Sequence, residues 1–120
     1  MQKILEILKI LSDETRLKVV YLLKEDELCV CELMKVLRMS QSRISNHLRI
    51  LRNTGIIEAK REGKWMFYSM AKNTLDKALL EIIQNIVDKI DEEKYLLREK
   101  TLINKLISRR GKPGQCPIPH

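Results

Sequence analysis

The chain of 120 residues lacks any long apolar run, and it contains few glycines, prolines and cysteines. Its apolar stretches fall far short of the roughly 18 residues that a membrane span requires. Charged side chains at Lys3, Glu6 and Lys9 interrupt what could otherwise be the apolar core of a signal peptide. We therefore expect a soluble, cytoplasmic protein that does not enter a membrane, folded as one compact domain.

Patterns typical of enzymes are also missing. The sequence contains no Gly-rich phosphate loop and no paired histidines, and its acidic residues are scattered along predicted helix surfaces. The three cysteines, Cys29, Cys31 and Cys116, are an odd number, which argues against a disulfide framework. We expect a non-enzyme whose cysteines serve metal or redox chemistry.

Positive charge is what the chain has in excess. It carries 23 Lys and Arg against 16 Asp and Glu, a formal net charge of +7, which favours a polyanionic partner. Seven of the basic residues but only two acidic ones lie between Arg38 and Lys64. The charge excess is therefore concentrated in one segment.

The spacing of apolar residues predicts a mainly helical chain. Ser12 and Asp13 are typical of a break followed by a helix N-cap, so two helices are expected to fill the first 24 residues. A short third helix should follow the polar residues 24–26. Its predicted apolar face comprises Leu28, Cys29, Leu33, Val36 and Leu37.

A fourth helix is expected between Ser40, a good N-cap, and Gly55, a natural residue to follow a helix end. Two helices joined by a short turn are typical of a helix-turn-helix. From residue 56 to residue 70, β-prone stretches flank Gly63 and predict a two-stranded hairpin, or wing. Trp65, Phe67 and Tyr68 are expected to pack this wing against the domain rather than to stack on bases. The predicted fold is a winged helix-turn-helix, mainly α with a small β-hairpin, centred on residues 27–70.

The C-terminal third is predicted to be helical from a cap at Asn73 or Thr74. No Gly or Pro follows until Gly111, so this helix either continues that far or breaks near residues 91–93. Its apolar residues exceed what one small core needs, which favours a homodimer over a helix folded back on its own domain. These predictions divide the chain into a DNA-binding and dimerisation domain, residues 1–110, and a flexible Gly/Pro-rich tail, residues 111–120.

The fourth helix has the composition of a DNA-reading helix. Its residues 40–49 place short polar and basic side chains opposite Ile44, Leu48 and Leu51, where they can reach base edges and phosphates in the major groove. His47 has no second histidine nearby, so a DNA contact is favoured over a metal-binding role.

Together these motifs resemble the ArsR/SmtB family of metal-responsive winged-helix repressors. The resemblance is carried by residues 12–17, 27–33, 40–48, 51–57 and 61–65, in the order and spacing of that family. It implies a homodimer joined through the first and last helices. It also implies binding to double-stranded operator DNA without a cofactor, and release when an inducer binds. The resemblance implies DNA contacts by Gln41, Ser42, Ser45 and His47 on the helix and by Arg61 and Lys64 on the wing. We expect the neighbouring Arg43 and Arg49 to contact DNA as well.

Cys29 and Cys31 resemble the inducer-binding box of the arsenic-responsive branch of that family. Thiolates suit thiophilic ions, and the N-terminus of the third helix is expected to lower the pKa of both thiols. Residues i and i+2 of a regular helix lie about 200° apart, so we expect chelation to unwind or tilt the start of this helix. That distortion would be passed to the adjoining recognition helix.

The third ligand departs from the pattern of the family. A further cysteine often follows three residues later, where this chain has Met34, so Cys116 of the same or the partner subunit is either the third ligand or a spare thiol. As(III) or Sb(III), satisfied by three sulfurs, fits best as the inducer. Cadmium would want four, and the absence of histidine from residues 88–110 disfavours a zinc site on the last helix.

Three other functions stay open. The same fold could sense cadmium, lead or oxidants through its cysteines, for example by forming sulfenic acid. A thiol oxidoreductase is disfavoured because Cys-x-Cys lacks the usual spacing of that class. A dimerisation module with an inactive DNA surface would show no salt-dependent DNA binding.

Overall fold

A computed structural model describes residues 1–109, which form six helices and a three-stranded antiparallel sheet. The predicted tail, residues 111–120, lies outside the described residues together with Cys116. The helices are α1 (Gln2–Leu11), α2 (Glu14–Leu22), α3 (Val30–Leu37), α4 (Gln41–Thr54), α5 (Lys77–Glu92) and α6 (Leu97–Ser108). The strands are β1 (Leu28–Cys29), β2 (Ile57–Glu62) and β3 (Trp65–Met70), in the sheet order β1-β3-β2.

The break between α1 and α2 lies where the sequence predicted it. Asp13 is the N-cap of α2, and its carboxylate accepts a hydrogen bond of 2.9 Å from the backbone N–H of Arg16. The Arg16 Nε donates in turn to the carbonyl oxygen of Ile10, at 2.9 Å. This pair of contacts satisfies an otherwise unpaired N–H of α2 and fixes the angle between the two helices.

The predicted helix-turn-helix is confirmed as α3 and α4. Arg38 ends α3 in the left-handed conformation, with φ of 56°, and the chain turns within three residues. Ser40 then caps α4 by accepting from the backbone N–H of Arg43. Gly55 ends α4 with φ of 91°, a conformation in which a side chain would be strained.

The predicted wing is the hairpin of β2 and β3, which pairs Glu62 with Trp65 around a turn at Gly63. The third strand, β1, was not predicted. Leu28 and Cys29, which we expected on the apolar face of the third helix, instead lie in extended backbone and pair with β3. The prediction was wrong because Cys29 is the N-cap residue of α3, so that the helix begins one residue later.

The last predicted helix begins later than expected and is broken. Asp76, rather than Asn73 or Thr74, caps α5 by accepting from the backbone N–H of Leu79 at 2.9 Å. The Thr74 hydroxyl instead donates to the carbonyl oxygen of Gly55. Of the two sequence interpretations, the helix that ends near residues 91–93 is confirmed, since α5 ends at Glu92. Lys94, just beyond this end, adopts a φ of 54°.

Helix α6 folds back onto its own domain and packs against α2 and α3. Leu96, Ile103 and Leu106 are buried in this contact, and Arg98 donates to the carbonyl oxygen of Val36 at 3.2 Å. The expectation that a second subunit would bury these residues was therefore wrong, because the break lets α6 reverse direction. Apolar side chains do remain exposed on other surfaces, namely Ile4, Leu5, Leu8, Ile82 and Leu97. Within residues 1–109, no helix combines the length and the apolar character needed to cross a membrane.

Candidate nucleic-acid interface and thiol pair

One face of α4 is buried and the opposite face is polar and exposed. Ile44, Leu48 and Leu51 are at most 1% exposed, which anchors the helix on the main core. The exposed face carries most of the predicted DNA-contacting residues, namely Gln41, Ser42, Arg43, Ser45 and Arg49, together with Asn46. The apolar spacing of the sequence therefore decides which side chains of α4 face solvent.

Apart from Lys60, which pairs with Glu62 at 3.1 Å, the basic side chains of α4 and the wing are not neutralised within residues 1–109. Arg43, Arg49, Arg61 and Lys64 are exposed and form no ion pair among residues 1–109. Arg49 contacts an uncharged partner, since its guanidinium donates to Asn46 Oδ1 at 2.7 Å. Uncompensated cations on the exposed face of a helix and on a hairpin form a surface suited to phosphates.

His47 lies apart from this exposed face. Its side chain is only 15% exposed, and its Nδ1 lies 3.9 Å from Asp13 Oδ2 on the N-cap of α2. Burial lowers the pKa of this imidazole. The positive charges of Arg16 and Arg43 lower the pKa further, whereas the negative charge of Asp13 raises it. The structure thus places His47 beside the N-cap of α2, and its predicted DNA contact stays a prediction.

The two cysteine sulfurs converge. Cys29 Sγ and Cys31 Sγ lie 2.8 Å apart, and both residues are buried. The expectation that they would point in opposite directions was wrong because Cys29 is not in the helix. As the N-cap residue it has extended backbone, with φ of −93° and ψ of 167°, so only Cys31 follows helical geometry. A thiophilic ion could contact both sulfurs without unwinding α3.

The surroundings of the thiol pair belong to the wing. Cys29, Cys31 and Phe67 form a buried cluster separate from the main core, with Trp65 packed against it. Cys29 lies opposite Phe67 in the pairing of β1 with β3. The sequence predicted that Phe67 and Trp65 pack the wing, and this is confirmed. Their contact with the cysteines was missed because it depends on β1.

A capping box holds the start of α3 beneath the thiols. The carboxylate of Glu32, which is fully buried, accepts from the backbone N–H of Cys29 at 3.0 Å. Burial raises the pKa of the Cys29 thiol to about 12, and the Glu32 charge adds to this shift. The expectation that the helix N-terminus lowers the pKa of Cys29 was thus wrong. The hydrogen bond from the backbone N–H of Glu32 does lower this pKa, but burial raises it by more.

The third donor is not supplied by the described part of the chain. Met34 packs against the main core rather than the thiol cluster, and residues 1–109 bring no three His, Cys, Asp or Glu side chains together in a metal-binding arrangement. The predicted ligand Cys116 lies outside the described residues. The described part therefore brings two sulfur atoms together and no third donor.

Comparison with known proteins places this architecture in a family. The model of the bacterial regulatory protein arsR family matches residues 13–59, which run from the cap of α2 into β2. An uncharacterised HTH-type transcriptional regulator of Methanocaldococcus jannaschii is 40% identical over 90 residues, which are 74% of this chain and 96% of that protein. The chain belongs to the arsR family of bacterial regulatory proteins.

Other relatives within the arsR family bear more specific names. The cadmium resistance transcriptional regulatory protein CadC homolog of Staphylococcus aureus is 41% identical over 62% of this chain and 66% of its own length. The arsenical resistance operon repressor of Escherichia coli is 47% identical over 56% of this chain and 58% of its own length. This chain thus spans less than two thirds of these two relatives.

Solved structures share the fold of this arsR-family chain. The transcriptional repressor BigR from Xylella fastidiosa has a TM-score of 0.67 and 29% identity over 78% of this chain and 88% of its own. A homodimeric winged helix-turn-helix DNA-binding domain from Mycobacterium bovis has a TM-score of 0.61 and 26% identity over 73% of this chain and 81% of its own. The predicted winged helix-turn-helix is confirmed.

Proposed function

We propose that this arsR-family chain is a transcriptional repressor that binds operator DNA through α4 and the wing. It releases the DNA when a thiophilic ion, best fitted by arsenite or antimonite, binds Cys29 and Cys31. The observation that carries the proposal is the pair of sulfurs, 2.8 Å apart, packed beneath the same wing that presents Arg61 and Lys64. The inducer site and the DNA surface thus share a structural element.

DNA binding is supported by the exposed polar face of α4 and its uncompensated arginines. Gln41, Ser42 and Ser45 suit base edges, while the basic residues suit phosphates. The N-terminal end of α4 projects these short side chains, which is the end that leads into the major groove in helix-turn-helix proteins.

Inducer binding is supported by the softness and placement of the two sulfurs. An ion binds both sulfurs only as thiolates, so Cys31 must be reduced and Cys29 must lose its proton, a step that the raised pKa of Cys29 makes easier at higher pH. Cys116 would complete the three sulfurs that arsenite takes, from the same or the partner subunit. Relatives named for arsenical and for cadmium resistance both agree with a thiophilic inducer.

The signal would pass through the sheet. An ion between Cys29 and Cys31 enlarges a cluster that is already closely packed against Phe67, and close-packed interiors transmit such changes. The displacement reaches the wing through the pairing of β1 with β3, and α4 through its contact with α3. This route replaces the unwinding of α3 that the sequence suggested.

A homodimer accounts for the exposed apolar residues that α6 does not cover. Ile4, Leu5 and Leu8 on α1 are about half exposed, as is Ile82 on α5. Burying them against a second copy would use the first helix and α5, and it would place two copies of α4 on one duplex. Leu5→Glu should yield a monomer in sedimentation velocity, whereas Leu97→Glu, at an exposed position of α6, should leave the dimer intact.

Fluorescence anisotropy of a labelled duplex from the promoter of its own gene tests the function. Reduced protein should raise the anisotropy, and arsenite should reverse it for the natural chain but not for Cys29→Ser or Cys31→Ser. Loss of release in Cys116→Ser would identify the third ligand. DNA binding that arsenite leaves unchanged would contradict the inducer, and no salt-dependent binding would contradict the repressor.

Cadmium or lead is the second candidate inducer, because a relative named for cadmium resistance is 41% identical. The same titration with cadmium, lead and zinc ranks the ions by the concentration at which half of the DNA is released. A parallel titration with peroxide, reversed by dithiothreitol, tests the oxidant-sensing alternative.

A further inference from the structure

A cleft of about 180 Å³ lies between the second half of α4 and the wing, and of its lining residues only Ser45 and Arg49 are among those predicted to contact DNA. Its floor is the buried Leu48, and its other walls are polar. The lining residues are Ser45, Leu48, Arg49, Arg52, Asn53 and Tyr68.

The polar walls of the cleft are made by hydrogen-bond donors and contain no carboxylate. Arg49, Arg52 and Asn53 are exposed on successive turns of α4, and neither arginine forms an ion pair among residues 1–109. Two guanidinium groups can each present paired N–H groups to a tetrahedral anion. The chemistry of the cleft is therefore that of a phosphate site.

Tyr68 forms the opposite wall and is held in place by the sheet. It pairs with Ala59 of β2 on one side and Leu28 of β1 on the other, and its ring packs against the main core. A tyrosine fixed in this way can donate its hydroxyl to an anion at little cost in side-chain entropy.

We propose that this cleft holds one backbone phosphate of the bound duplex, with Arg52, Asn53 and Tyr68 as contacts beside Arg49. The inference rests on the proposed DNA binding. Because the N-terminal end of α4 leads into the major groove, its second half and the base of the wing lie at the edge of the groove, where the backbone runs. A phosphate held between the two elements fixes the wing and α4 in one register on the duplex.

Two variants of the full chain test the cleft against a matched control. Arg52→Gln should weaken binding to the promoter duplex on the order of tenfold and reduce the slope of log K against log salt by about 0.9. Tyr68→Phe should weaken binding without changing the slope, because it removes a donor and no charge. Lys105→Gln, which removes one exposed charge from α6, should change neither.

A scan with methylphosphonates, each of which neutralises one phosphate, locates the contact. One position per half-site should weaken the natural protein about as much as Arg52→Gln does, and neutralising it should cost the Arg52→Gln variant nothing further. Additive losses at every position would overturn the proposed phosphate contact in the cleft while leaving DNA binding intact. An Arg52→Gln variant with the same affinity and salt slope as Lys105→Gln would do the same.

Inorganic phosphate without DNA separates the two sources of the anion. At ionic strength held constant with chloride, phosphate should raise the melting temperature of the natural protein no more than it raises that of the Arg52→Gln variant. A selective rise would make the cleft a site for a free anion and overturn the proposal. A natural chain that binds no duplex would overturn the cleft and the proposed function together.

Discussion

Cys29 lies directly opposite Phe67 in the antiparallel pairing of β1 with β3, and the next residue of β3, Tyr68, lines the cleft beside α4. Strand β3 therefore connects the thiol pair to the cleft that is proposed to hold a phosphate of the duplex.

The single tryptophan of the chain should report occupation of the thiol pair. Trp65 packs against the cluster of Cys29, Cys31 and Phe67, so an ion bound by the two sulfurs changes its surroundings. Titration with arsenite or cadmium should change the tryptophan emission and saturate at one ion per chain. Cys31→Ser should abolish the change. An unaltered emission while the thiols are demonstrably occupied would contradict the coupling of the site to the wing.

His47 should make stability depend on pH. Its pKa is lowered by burial, with Asp13, Arg16 and Arg43 as the charged neighbours, so the unfolded chain binds the proton more tightly than the folded one. The unfolding free energy should therefore rise with pH from below the lowered pKa up to about 6.5 and then level off with respect to this group.

Urea unfolding at a series of pH values between about 5 and 8 measures this effect. His47→Gln should flatten the rise, whereas His120→Gln, at the only other histidine of the chain, should leave it unchanged. An equal slope in His47→Gln and the natural protein would assign the dependence to other groups.

Asp76→Ala should destabilise the chain by about 1 kcal/mol, because it removes the acceptor that caps α5. The neighbouring exposed residue Asn73 was one of the two caps suggested by the sequence, and it provides the control. Asn73→Ala should change the unfolding free energy by less than about 0.5 kcal/mol. Denaturant midpoints measure both, and the reverse order would place the cap at Asn73.

Ile103→Ala should cost about 2–5 kcal/mol, because Ile103 is 1% exposed in the contact of α6 with the domain. Leu97, on the same helix, is 59% exposed, and Leu97→Ala should cost under about 0.5 kcal/mol. Thermal unfolding measured at protein concentrations low enough to exclude association provides the comparison. Equal and small losses would show that α6 does not pack on its own domain.

The sequence by itself determined the elements whose signals are local. Asp13 and Ser40 as caps, Gly55 as the end of α4 and the turn at Gly63 each depend on a few neighbouring residues. The same holds for the exposed polar face of α4, since the apolar spacing of one helix decides which side is buried.

Tertiary structure alone decided the features that join distant segments. Cys29 lies outside the helix because its short extended segment pairs with β3. This extended conformation of Cys29 brings the two sulfurs together. Asp91 accepts from Tyr21 and Lys100, which stabilises the break that turns α6 back onto the core. His47 is partly buried, with Asp13 of the α2 N-cap 3.9 Å from its Nδ1. Strand pairing and helix reversal depend on partners far along the chain, so local periodicity and capping patterns do not predict either feature.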